Sequence, residues 1–126
     1  MADSEQKAVP YEAMRSAVIS MAVESWRFRR TFVRVLDKLD AGERNRYEGS
    51  LNWFMKKTCE ALEQAGLTVA DYEGQNFDVG MAATPLNIDE FEADDALIVD
   101  QLLEPTIMGK DGVVRKTGTI TLKKKA

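Results

Sequence analysis

The residues most able to do chemistry fall into three groups. Asp89, Glu90, Glu92, Asp94 and Asp95 crowd one short stretch. Grouped carboxylates can hold a divalent cation, but a calcium loop needs alternating oxygen ligands around a glycine. That spacing is missing, so the stretch reads as a solvated acidic loop and no metal site is expected. Arg27, Arg29, Arg30 and Arg34 form a basic group with Phe28 set into it. Such a pattern could bind nucleic acid, but Phe28 also falls in a heptad seam, so a solvated or partner-facing helix edge explains the arginines at least as well. Cys59 is the one cysteine. With no histidine to lower its pKa, it reads as an inert, buried thiol.

The chain contains no histidine at all. That removes Ser-His-Asp and Cys-His catalysis and the usual zinc sites. Gly109-Lys110-Asp111-Gly112 is too short for a phosphate-binding loop and reads as part of a hairpin turn. A non-enzyme without a cofactor is the expectation, with a carboxylate enzyme as a distant third class. A single cysteine excludes an internal disulfide and suits a reducing cytoplasm. The first residues, MADSEQKAVPYEAM, lack the basic start and apolar core of a secretory signal. No apolar run approaches the roughly 20 residues that span a bilayer, so no membrane contact is expected.

Charge is spread unevenly. Residues 1–66 carry 11 Lys+Arg against 10 Asp+Glu, and residues 67–126 carry 6 against 11, giving the net −4. An acidic second half argues against nucleic acid as the main ligand.

The elements that must position these groups divide the chain at residue 66. Met14, Val18, Met21, Ser25, Phe28, Phe32, Val35 and Leu39 recur in steps of four and three, a heptad seam broken only by Ser25. Pro10 suits the first turn, and Leu39-Asp40-Ala41-Gly42 reads as the stop. Tyr47, Leu51, Phe54, Thr58, Leu62 and Ala65 form a second stripe, closed by Gly66. Its start has two readings. Asp40 with Glu43 resembles a capping box, and Ser50 could be an N-cap that leaves Gly49 outside. Tyr47 is in phase with the stripe, which favours the early start and puts Gly49 inside a helix. There it costs about 1 kcal/mol relative to alanine.

Two helices with such narrow seams cannot bury their apolar faces alone. A homodimeric four-helix bundle is the economical answer, with Trp26, Trp53 and Phe54 available as anchors. From Leu67 the pattern becomes that of strands: Leu67–Tyr72, a short edge strand Met81–Asn87, the run Ala96–Glu104 closed by Pro105, and a last strand Val113–Leu122. The fold class is therefore α+β. A helical hairpin, residues 1–66, forms the bundle, and a small β-domain, residues 67–126, follows it.

Five pieces then resemble GrpE, the nucleotide-exchange factor of DnaK-type chaperone ATPases. They are Val33–Asp40, the Glu48-Gly49 pair with the stripe ending Gly66-Leu67-Thr68-Val69, Gly74-Gln75-Asn76-Phe77-Asp78, Val99–Leu103 and Gly112–Leu122. They occur in the family's order over about residues 20–122. The resemblance implies a dimeric four-helix bundle whose chains each end in a small β-domain. It also implies docking on a DnaK-type ATPase with release of ADP. It places Gly49 and Lys116 at partner-binding positions; Arg34, Lys38, Met108 and Arg115 join them as neighbours. The dimer interface expected is Phe28, Phe32, Leu51, Phe54 and Leu62. The family's Pro, His and Glu are absent from Asp78-Val79-Gly80-Met81-Ala82-Ala83, and its Gly-Tyr reads Pro105-Thr106. The alternative is therefore a dimeric scaffold or adaptor of the same fold without exchange activity.

Overall fold

The computed structural model describes residues 10–126. Of the opening stretch read above, residues 1–9 lie outside them. Helix α1 spans Tyr11–Leu36 and helix α2 spans Ala41–Gln64. Pro10 precedes the first helical residue, where its missing N–H costs nothing. Helix α1 stops three residues before the expected Leu39, and the chain turns through Asp37, Lys38 and Leu39. The early start of α2 is the one formed: Asp40 is the N-cap, and its carboxylate accepts from the Glu43 N–H at 2.9 Å. Gly49 therefore lies inside α2. Gly66 follows the last turn at φ 75°, a left-handed conformation that glycine adopts without strain.

The helices pack on each other through a seam shifted by one residue from the expected one. Ala22, Trp26 and Leu36 of α1 are buried, with Val18 and Ile19 packed near them. Half of the expected seam instead lies toward solvent: Met14 is 56% exposed, Met21 68%, Phe28 54% and Val35 48%, while the alternate members Val18, Ser25, Phe32 and Leu39 are buried or half-buried. Of its other members, Ser25 is buried and bonds its hydroxyl to the Met21 carbonyl at 2.9 Å, so its polarity is satisfied locally.

The second half holds two three-stranded sheets. Strands β1 (Leu67–Ala70), β4 (Thr106–Gly109) and β5 (Val114–Lys116) form one in the order β1-β4-β5. Strands β2 (Ala83–Pro85), β6 (Gly118–Lys124) and β3 (Leu97–Glu104) form the other in the order β2-β6-β3. The segment Val113–Leu122, read above as one strand, is two. It is one arm of a long antiparallel hairpin that bends as it passes from sheet to sheet. The arms pair as β4 with β5 near the turn and as β3 with β6 beyond the bend.

Both bends have a cause. Pro105 has no N–H for the ladder and separates β3 from β4. Opposite it, Gly118 lets Thr106 come close, since a Cβ there would overlap the Thr106 hydroxyl and amide and the Glu104 carbonyl. The turn falls at Lys110-Asp111-Gly112 as expected, with Gly112 at φ 79°. Strand β4 was not anticipated. β2 is an edge strand containing Pro85, as the proline required, and pairs parallel to β6.

Two apolar clusters hold the fold. Ala22 and Leu62 of the helices meet Leu67 and Ile107 of the first sheet. Val99, Leu102, Ile120 and Leu122 form the second cluster, closed by Tyr72, Phe77 and Met81 from the connection between β1 and β2. Val69 packs against both. The free edge of β3 is covered: Gly74, Gln75 and Phe77 bond to its backbone, and the Glu73 carboxylate accepts from the Leu102 N–H at 2.8 Å.

Candidate partner-binding surface

Gly49 sits in a helix whose first ten residues are exposed. A Cβ added to Gly49 would meet no atom within 4 Å, so no packing inside the chain requires a glycine here. Trp53, one turn further along the same face, is 59% exposed. The ammonium groups of Lys56 and Lys57 lie 5.7 and 4.7 Å from its ring centroid. The patch is thus a bare backbone notch next to an indole held in a cationic frame. Tryptophan is enriched among the residues that anchor protein partners. Trp53 was foreseen only as a bundle anchor, but its position beside Gly49 makes it part of this surface.

Arg34 stands in the last turn of α1 and Lys38 in the turn between the helices, both exposed. Gly49 lies between this turn and Phe54, whose ring meets Phe28 of α1 edge-on at 6.3 Å between centroids. Gly49, Arg34 and Lys38 therefore belong to the same end of the hairpin.

Met108, Arg115 and Lys116 lie elsewhere. Met108 is half-buried on β4, opposite Thr68 and Val114. Arg115 bonds Asp111 at 2.9 Å and borders a cleft with Tyr11 and Gly66, where α1 begins and α2 ends. From Tyr11 to Arg34 a helix rises about 35 Å at 1.5 Å per residue. The six candidates thus form two groups and not one compact site.

Lys116 is also engaged within the chain. Its ammonium donates to Glu104 at 3.2 Å and to the Thr117 carbonyl at 2.6 Å. The Arg27 guanidinium donates to the other Glu104 oxygen at 2.9 and 3.2 Å, and also meets Glu24 at 2.6 Å. Glu104 thereby ties the middle of α1 to β3 and β5. The hydrogen bond from Arg27, assisted by Lys116, holds the Glu104 carboxyl below its ordinary pKa. The same bond raises Arg27 further above its already high value.

Of the expected interface residues, Phe28 and Phe54 are exposed and Phe32 is half-buried, stacked on Phe28 at 5.6 Å. Leu51 and Leu62 are already buried within one chain, which leaves a second copy little of them to cover. A groove of about 440 Å3 opens between the helices, lined by Ala17, Met21, Phe54, Ala61 and Leu62. Comparison with protein-family models, curated proteins and solved structures gave no match.

The remaining chemistry is sparse. Cys59 is half-buried, and burial raises its thiol, followed in effect by Glu63 and Asp71. That keeps the reactive thiolate scarce. Among the described residues no set of three His, Cys, Asp or Glu side chains is placed to hold a metal ion, and no helix is long and apolar enough to cross a membrane.

Proposed function

We propose that this chain is a GrpE-like co-chaperone that works as a homodimer. It binds the nucleotide-binding domain of a DnaK-type ATPase in its open state and promotes release of ADP. The observation that carries the reading is the uncovered heptad of Met14, Met21, Phe28 and Val35 on a helical hairpin joined to a small β unit. Four apolar side chains at seven-residue spacing ask for a second helix pair. A second copy supplies one, and the result is a bundle carrying two β units. In the cytoplasm, that body would act as a wedge.

The mechanism needs no reacting side chain. A protein that binds the open form of the ATPase more tightly than the closed form shifts the population toward open. Linkage requires that it weaken ADP by the factor by which ADP weakens it. Gly49, Arg34 and Lys38 would meet the partner from the bundle, and Met108, Arg115 and Lys116 from the β unit. The test is release of a fluorescent ADP from the cognate ATPase. Acceleration that saturates with added protein is expected; an unchanged rate at saturation overturns the exchange reading.

A second reading, an adaptor with the same fold and no exchange activity, is favoured by one observation. Arg115 and Lys116 are bonded to Asp111 and Glu104 of their own chain, so a partner would have to displace those bonds. Binding to the ATPase without faster ADP release selects this reading.

A further inference from the structure

A cleft of about 630 Å3 opens between α1 and the outer face of the second sheet. Its helical wall carries Arg29, Arg30 and Arg34, around the apolar side chain of Val33. None of the three arginines forms an ion pair or side-chain hydrogen bond among the described residues, unlike Arg15, Arg27, Arg44 and Arg115. The sheet wall carries Gln101 and Thr121, which face each other across β3 and β6.

Three carboxylates also border the cleft, and each is engaged. Asp37 meets Arg44 at 3.0 Å, Asp100 meets Lys123 at 3.6 Å, and Glu73 accepts from the Leu102 N–H. Counting those two cations with the three unpaired arginines, positive charge exceeds negative. The volume lies within the range of about 300–1,000 Å3 typical of small-molecule sites. Guanidinium groups match phosphate oxygens in a two-pronged fork. The free carboxylate oxygens suit hydroxyl donors.

We infer that this cleft binds a small phosphorylated polyol, of the sugar-phosphate class. Arg29, Arg30 and Arg34 hold the phosphate, and Glu73 and Asp100 accept from the hydroxyls. The cleft shares Arg34 with the proposed chaperone contact, so the test replaces Arg29 and Arg30 and leaves Arg34 intact.

Ribose 5-phosphate, inorganic phosphate, citrate and an Asp/Glu-rich peptide are titrated separately into the full chain by calorimetry. Saturable binding of ribose 5-phosphate is expected, tighter than inorganic phosphate, which lacks the hydroxyls. Arg29→Gln with Arg30→Gln should weaken it at least about tenfold, and Arg29→Gln alone severalfold, with unchanged circular dichroism. The single variant keeps the test open should the double variant fold poorly. No saturable binding, unchanged affinity in the variants, or tighter binding of citrate or the peptide would overturn the assignment.

Discussion

Gly49 and Gly118 stand in opposite surroundings. Gly49 faces open space in a helix, so Gly49→Ala should raise stability by about 0.5–1 kcal/mol in urea unfolding. Gly49→Asp should leave the fold intact and abolish binding to the ATPase, since it puts a charged side chain into the notch beside Trp53. Retained binding, or unfolding of the aspartate variant, removes the functional role given to this glycine. Gly118 sits against Thr106 and the Glu104 carbonyl. Gly118→Ala should cost about 1–3 kcal/mol, the usual range for an overfilled site; an unchanged unfolding midpoint would mean that the bend opens freely. Residue types alone did locate Gly49 inside a helix, through the phase of Tyr47. They could not show that nothing lies over it, which depends on how the second half folds back. For the same reason Arg115 and Lys116 read as free charges. Their partners Asp111 and Glu104 are brought to them by the hairpin register.

At the level of elements, both helices were legible because local rules specify them: a stripe in steps of three and four, Asp40 as cap, Gly66 as stop. Which stripe faces the chain's own core was not legible. Two adjacent stripes run along α1, and the one carrying Ala22 and Trp26 is less apolar in pattern than the one carrying Met21 and Phe28. Periodicity favours the greasier stripe, but in the structure its Met14, Met21, Phe28 and Val35 are left outside, while the smaller Ala22 lets α1 come close to Leu62 and the sheet. The split of Val113–Leu122 was hidden too, because the change of sheet depends on Pro105 and Thr106 in the opposing arm. The exposed stripe carries its own prediction. Met21→Asp with Phe28→Asp should convert a dimer into a monomer in sedimentation, with helix content retained, because neither side chain supports the chain's own core. A wild-type chain that is monomeric at micromolar concentration would remove the bundle.

On the scale of the whole molecule, the Arg27–Glu104–Lys116 contact joins the helical half to both sheets. Glu104 has a lower pKa folded than unfolded, so the folded state binds its proton less readily. The stability this contributes is complete above the ordinary carboxylate pKa and is lost as pH falls through the folded value. Glu104→Gln should therefore flatten the acid limb: between about pH 5 and about pH 3 the melting temperature of the wild type should fall further than that of the variant. Equal slopes would mean that other carboxylates carry the acid sensitivity. The order of the strands has a further consequence, for synthesis. β6 lies between β2 and β3, and those two strands have no ladder with each other. As the chain leaves the ribosome, Ala83–Pro85 has no ladder partner, and Leu97–Glu104 has only the bonds to residues 73–77 on its outer edge, until Gly118–Lys124 follows them out. The helical hairpin is complete long before that. The nascent chain thus passes through a stage in which its first half can already find a second copy while its last sheet does not yet exist.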